Sequence, residues 1–311
     1  MTSLGRSEVK AAGITLVGLA VLAFLPLVVR RDDVLNFVFL ILLFVALAES
    51  WNIVAGYAGQ VNLGHAAFFG IGALVTRTLW FAGAPILVAM LAGAAAAVVA
   101  GLAIGVVAFR LRGAYFAIGT LALGEILRIT ISNALPEIST LPAATIGAYR
   151  LVARYYAALG LAAVSVVVVA AMAASKLGLG MQAVREDEAA AEASGVSALG
   201  LKTLALAMST SLAGLCGGLF AYYHISYYPQ HPFGPHWTFD AVLITFIGGV
   251  GTLQGPVLGA IFYVFLKEYL ALRWVDFHVL IFGVMFIVIV LLLPGGLVEA
   301  ASRVRSIFAR S

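Results

Sequence analysis

The sequence predicts an all-α polytopic membrane protein with about ten transmembrane or partly re-entrant helices. Composition, run length and charge predict it. Of 311 residues, 63% are hydrophobic and 10% are charged, and the mean hydropathy is +1.09. Soluble domains carry roughly a quarter charged residues, so this chain lacks the polar surface that a water-facing globule needs. Its apolar residues fall in long unbroken runs, whereas a membrane barrel alternates over segments of about ten residues. The small positive excess, formally +4, reads as membrane topology and not as nucleic-acid binding. Cys216 is the sole cysteine, which excludes an intrachain disulfide.

Arg6 and Lys10 precede an apolar run from Ala11 to Val29. A signal peptide has this shape, but the run ends at Arg30 and Arg31 with no small residues at a cleavage site, so it reads as a retained first span over 12–29. A span needs about 20 apolar residues. Segments 34–55, 86–108, 114–134, 155–175, 203–225 and 276–293 meet that need. Segments 62–80, 239–250 and 256–271 are less regular and are candidates for re-entrant helices. An even number of crossings puts both termini on one side. Positive charge chooses the cytoplasm for them, because Arg6, Lys10, Arg110, Arg112, Lys176, Arg185, Lys202, Arg303, Arg305 and Arg310 then lie inside. Arg30, Arg31, Arg150, Arg154 and Arg273 lie outside. Residues 1–311 form one transmembrane domain, with a cytoplasmic loop over about 176–202.

Two segments put clusters of glycine at membrane depth. Gly56 to Gly64 carries Gln60 and Asn62 and leads into His65. Gly248, Gly249 and Gly251 open the run that continues through Gly255 and Gly259. Glycine clusters interrupt helices, and irregular backbone is tolerated in a membrane only where protein or a water-lined cavity surrounds it. Transporters line translocation paths with such breaks, and the competing reading is close helix packing through small residues. Glu49, Asn52, Gln60, Asn62 and His65 cluster around the first break. Together with Gly248, Gly249 and Gly251 they are the candidate path residues. Ionisable groups at membrane depth are costly and are functional candidates by default, with an interhelical structural bond as the bland alternative. Glu125 and Arg128 lie three apart on one helix and are placed to neutralise each other. Asp240 opens the short 239–250 segment.

The aromatic loop 226–238 reads either as an interfacial belt or as an outer docking surface. His224, His231 and His236 within and beside it match no common zinc spacing, and His65 has no ligand partner nearby, so no metal is expected. No cofactor is expected either. Gly195 to Thr203 looks like a phosphate loop but has one residue too many before Lys202, and no strand precedes it.

The segment from Met181 to Gly195 is a charged island in an otherwise apolar chain. Ala183 to Ala193 favours a helix, Gly195 suits its end, and Arg185, Glu188 and Glu192 give it a polar face. Helices that lie on lipid favour Lys and Arg. This one is acidic, so docking of another protein is the better reading.

Four runs carry a family resemblance: Trp51 to Ala73, Leu111 to Arg128, Ala183 to Gly195 and Gly248 to Ala260. Their order and spacing resemble the LivM-type permease subunit of branched-chain amino-acid ABC importers over roughly residues 34–296. The loop 133–150 lacks the Thr-Gly-Gly or Asn-Gly stretch that family members often carry there. The resemblance implies an importer subunit of a bacterial inner membrane that moves branched-chain or other hydrophobic amino acids, or small solutes such as urea, amides or aromatic acids. It implies a second homologous permease, two cytoplasmic ATP-binding subunits and a periplasmic substrate-binding protein as partners. It also implies that Arg185, Glu186, Asp187, Glu188 and Glu192 form the coupling helix that seats in the ATPase, with no catalysis by this chain. The alternative is a stand-alone proton-coupled transporter using Glu49, His65 or Asp240.

Overall fold

The computed structural model describes residues 3–29, 31–111, 113–135, 139–140, 147, 149–273, 281, 283–284, 287–288, 291 and 295–300. Helices dominate them, as the composition requires. Helix α1 spans Ser3–Leu22 and the short α2 spans Leu25–Val28, which carries Pro26 in its first turn. Pro lacks the N–H that would continue α1, so the chain stops and restarts there. Helix α3 spans Asp32–Asn52. Asp32 and Asp33 occupy its first turn, where carboxylates favour the helix dipole. Its C-terminal half, from Leu42 to Asn52, is buried on every side.

Helices α4 (His65–Phe81), α5 (Ile86–Ala108) and α6 (Ala114–Ala134) follow. Helix α7 covers Leu151–Ala173, and the charged island forms α8 (Lys176–Glu186) and α9 (Glu188–Ala193). Helix α10 spans Ala198–Tyr223, α11 His236–Gly248 and α12 Gln254–Arg273. A two-residue antiparallel pair joins β1 (Ser139–Thr140) to β2 (Ser226–Tyr227).

Helices α3 and α10 form the centre. Helices α4 and α5 pack on α10, α7 packs on the other flank of α3 and carries α1 on its own outer side, and α11 and α12 close the third side. Helix α6 is the outlier. It buries only Phe116, Thr120 and Gly124, one residue per turn, and turns Tyr115, Ile118, Ile126 and Ile129 outward. The Arg128 guanidinium bonds the Glu125 carboxylate through both Nε and Nη2, as their spacing predicts.

Among the described residues six helices are long and apolar enough to cross a membrane. They begin at Val9, Asp32, Ile86, Ala114, Leu151 and Ala198, and each coincides with an apolar run expected to span. The predicted span 276–293 lies largely outside the described residues. The three irregular segments are helices with glycine-rich entries or exits. With a rise of 1.5 Å per residue, α4 at 17 residues reaches roughly 26 Å and α11 at 13 residues roughly 20 Å. Both fall short of a hydrocarbon core of about 30 Å.

The island departs from the continuous helix expected over Ala183–Ala193. The backbone leaves the helix at Asp187, whose φ is −154° and whose Oδ1 accepts from Ala190 N at 3.0 Å. Asp competes for backbone N–H groups and favours the N-cap over a helix interior, so it ends α8 and starts α9. The single polar face expected from Arg185, Glu188 and Glu192 is broken with it. Glu188 accepts from Lys202 Nζ at 2.5 Å. Gly195 ends α9 as its φ of +82° allows, with Val196 N bonded to Ala191 O at 3.0 Å.

The aromatic loop turns inward. Tyr227, Phe233 and Trp237 are buried, and Trp237 stacks on Phe69 with centroids 4.5 Å apart. The loop thus closes one end of the bundle, and Tyr228 is its exposed aromatic.

Candidate functional site

The site forms where α3 ends. Over Ile53–Tyr57 the helix widens into a π turn, with Ala58 N bonded to Ile53 O at 3.3 Å. Gln60 N then reaches back to Val54 O at 2.9 Å. Gly59, with φ of +72°, turns the chain out of the helix. This sequence of bonds passes over Gly56 O, as helix ends leave their last carbonyls without partners in the helix.

Arg185, the last-turn residue of α8, fills that vacancy. Its Nη1 donates to Gly56 O at 2.5 Å, across 129 residues of chain. The approach needs glycine on two sides. A Cβ at Gly59 would stand 3.0 Å from Arg185 Cγ, and one at Gly251 would stand 2.5 Å from Arg185 Nη1.

Asn52 joins the two glycine breaks. Its Oδ1 accepts from Gly251 N at 2.8 Å and its Nδ2 donates to Thr252 O at 3.0 Å. Asn52 is fully buried, and a side chain at Gly56 would overlap its Oδ1. The segments that the sequence places nearly 200 residues apart thus meet as one backbone-to-side-chain knot. Gly248 and Gly249 belong to the same turn, with Gly249 N bonded to Thr245 O at 2.8 Å.

The remaining polar candidates lie one turn away. Asn62 Oδ1 accepts from Gly64 N at 2.9 Å, and its backbone carbonyl accepts from Trp51 Nε1 at 2.8 Å. Thr120 Oγ1 and Thr238 Oγ1 accept from Leu63 N and Ala66 N at 3.1 and 2.8 Å. They satisfy donors at the entry to α4. His65 is fully buried, with Nε2 2.7 Å from Ser50 Oγ. Ser50 Oγ donates its single proton to Leu47 O at 2.6 Å, so His65 Nε2 acts as the donor toward it. Glu49 is also fully buried, beside Ser50. Gln60 is half-buried and reaches Ala58 O at 3.4 Å.

Asp240 lies apart from the knot. Tyr263 Oη donates to its Oδ1 at 2.5 Å and Lys267 Nζ to its Oδ2 at 3.2 Å. A proton carrier needs a carboxylate free to exchange its partners, and this one is held from two sides. Lys267→Met should cost about 2–3 kcal/mol, because the nearly buried carboxylate keeps Tyr263 but loses its countercharge, while Lys267 is partly solvated. Asp240→Asn combined with Lys267→Met should return the thermal midpoint in detergent to near the wild-type value.

The island has a small apolar cluster that joins it to the start of α10. Val184, Ala191 and Ala198 bury together, with Val196 and Leu201 packed on them. Lys202 is almost fully buried, and its bond to Glu188 locks α9 onto the start of α10. Of the five predicted coupling residues, Arg185, Asp187 and Glu188 are bonded within the chain. Glu186, at 79% exposure, lies 3.9 Å from Arg185 Nε, and Glu192 faces outward.

The sequence singles out neither Arg77 nor Lys267, and it marks Arg154 only as an outer positive charge. Their partners emerge from packing. Arg77 donates to Ala221 O, His224 O and Ile225 O at 3.3, 3.0 and 2.7 Å. Arg154 donates to Tyr222 O at 2.9 Å and stacks between the rings of Tyr149 and Tyr222. Two arginines thus cap the C-terminus of α10.

Apolar helices of spanning length, a buried knot between two glycine breaks and a charged helix pair beside it define a multi-pass helical membrane protein. The chain belongs to the family described as "Branched-chain amino acid transport system / permease component", which it matches over residues 33–290. It is similar to the high-affinity branched-chain amino acid transport system permease protein LivM of Escherichia coli K12, with 29% identity covering 91% of this chain and 74% of the relative. The corresponding LivM of Salmonella typhimurium LT2 is 27% identical, covering 88% and 71%. A probable LivM of Methanocaldococcus jannaschii is 25% identical over 38% of each chain. No solved structure matches the chain.

Proposed function

We propose that this chain is the membrane-spanning permease subunit of an ABC importer that carries branched-chain or other hydrophobic amino acids, or related small solutes, into a bacterial cell. It works in the inner membrane with both termini cytoplasmic. A second homologous permease completes the pathway, two cytoplasmic ATP-binding subunits supply the energy, and a periplasmic binding protein delivers the solute. The chain itself performs no catalysis. The observation that carries the reading is the α8–α9 pair, an acidic surface bonded directly to the glycine break at the end of α3. The family match supports the solute class.

In this reading Glu186 and Glu192 present charge to the ATP-binding subunits, and Asn52, Glu49, Gln60, Asn62, His65, Gly248, Gly249 and Gly251 shape the pathway near the knot. Access alternates when the two breaks shift relative to each other, and solute moves only if binding differs between the two states.

The test is co-expression with the ATP-binding and second permease subunits, purification by a tag on this chain, and ATP hydrolysis in lipid. The complex should copurify, and the loaded binding protein should raise hydrolysis. Glu186→Lys with Glu192→Lys should change folding little, because both side chains are exposed and the Glu186–Arg185 pair, at 3.9 Å, is a weak surface contact. It should lower ATPase recovery by about tenfold or more through like-charge and lost-pair effects. A wild-type chain that purifies alone and accumulates solute under a proton gradient would overturn the reading.

A further inference from the structure

We propose that Arg185 is an internal positioning residue that pins the 176–202 loop to both glycine breaks, and is not a contact to the ATP-binding subunit. The inference rests on the importer reading and assigns a different role to one residue within it. Arg185 stands in the same charged run as Glu186, Asp187 and Glu188, so sequence places it with the docking surface. Its Nη1 instead reaches the carbonyl that the π turn leaves over at Gly56, while Nε lies 3.9 Å from Glu186 Oε1 and 37% of the side chain stays exposed.

Three features make the contact a built one. Gly59 and Gly251, with φ of +72° and +76°, flank the arginine, and a Cβ on either would press on it, at 3.0 Å from Cγ and 2.5 Å from Nη1. Asn52 binds the opposite face of the same turn and carries it across to Gly251 and Thr252. Behind Arg185 the Val184–Ala191–Ala198 cluster and the Lys202–Glu188 bond tie α8, α9 and the start of α10 together, so a displacement of α8 and α9 moves the guanidinium with them. A push on the outer face at Glu186 or Glu192 therefore reaches Gly56 through Arg185, and reaches the second break through Asn52. Among the described residues Arg185 supplies the side-chain hydrogen bond between the island and the segment after α3, so this arginine sets whether the two motions are linked.

The experiment uses the full importer in proteoliposomes, with solute uptake and ATP hydrolysis measured on the same preparation. Arg185→Gln should keep the ATP-binding subunits bound and keep hydrolysis, while solute moved per ATP falls by about tenfold. Arg185→Lys should restore part of that ratio, since an ammonium reaches one carbonyl but cannot fill the space between the two glycines. Gly251→Ala, which leaves the arginine intact but occupies its seat, should lower the same ratio. A merely structural arginine would lower the thermal midpoint and leave the ratio unchanged, which would overturn the proposal. Loss of the ATP-binding subunits from Arg185→Gln, matching the Glu186→Lys with Glu192→Lys variant, would also overturn it by making Arg185 a docking contact. Should Arg185→Gln fail to fold, Arg185→Lys and Gly251→Ala decide by the same ratio. Failure of the importer reading looks different, because no ATP-binding subunit would then accompany even the wild-type chain.

Discussion

Replacing Arg77 with alanine should lower the stability of the isolated subunit by about 3–5 kcal/mol and sharply reduce the yield of monodisperse protein. Arg77 sits in α4 with 2% of its surface exposed, and its guanidinium serves three carbonyls at the end of α10 and the start of the following loop. Charge-assisted hydrogen bonds contribute roughly 1.5–3 kcal/mol each in favourable settings. Alanine removes all three and leaves Ala221 O, His224 O and Ile225 O without this donor, the first of them on a buried residue. The guanidinium also lies over the Tyr227 ring, 5.4 Å from its centroid, so the aromatic loop loses a support. Arg77→Lys should retain about half of the stability, because an ammonium keeps the charge and reaches some carbonyls without the planar fork. Thermal unfolding in detergent, read by tryptophan fluorescence, separates the three proteins. A midpoint for Arg77→Ala within a degree or two of wild type would refute this account of how α10 ends.

Gly217→Ala should cost about 3 kcal/mol or more, although the change adds one methyl group. A Cβ at Gly217 would overlap Phe69 O and stand 2.9 Å from Ala73 N. Both are backbone atoms of α4, and helix backbone cannot swing aside as a side chain does. Relief requires α4 and α10 to separate, which opens the packing around Phe69, Phe220 and Trp237. In lipid, helices associate through such close contacts more than through a hydrophobic drive. Gly218→Ala is the matched control. Its new methyl would meet Thr76 Oγ1 at 2.8 Å and Met90 Cγ at 3.1 Å, both side-chain atoms. Met yields readily, so the control should cost about 1 kcal/mol. Equal losses from the two substitutions would show that glycine is needed here for a reason other than the α4–α10 approach.

Much of the site was legible before any coordinates. Gly56 to Gly64 and Gly248 to Gly259 announce interruptions because glycine weakens a helix wherever it clusters, and both interruptions exist. Asn52 stands out as an amide at membrane depth, and the pair Glu125 and Arg128 closes as its three-residue spacing requires. The island announces itself by charge alone. What the pattern around Arg185 did not reveal is its direction. A charged run on a short helix reads as one polar face, and the N-cap at Asp187 breaks that face by ending the helix after Glu186. The signal was available in Asp187, a residue better suited to a cap than to a helix interior.

By itself the sequence determined the solvent of this protein, the run of apolar helices, the places where they break and the charged loop that faces water. Each follows from composition and short-range pattern, because hydropathy, glycine and capping act within a few residues of where they stand. Tertiary structure alone decided which of these pieces touch. Asn52 meets Gly251, Arg185 meets Gly56 and Arg77 meets the end of α10, across separations of 129 residues or more. These helices are apolar on most of their faces, so no stripe tells which side meets which neighbour. That choice is made by shape. Glycine lets two backbones come close, and a polar group at that point finds its partner only once they have.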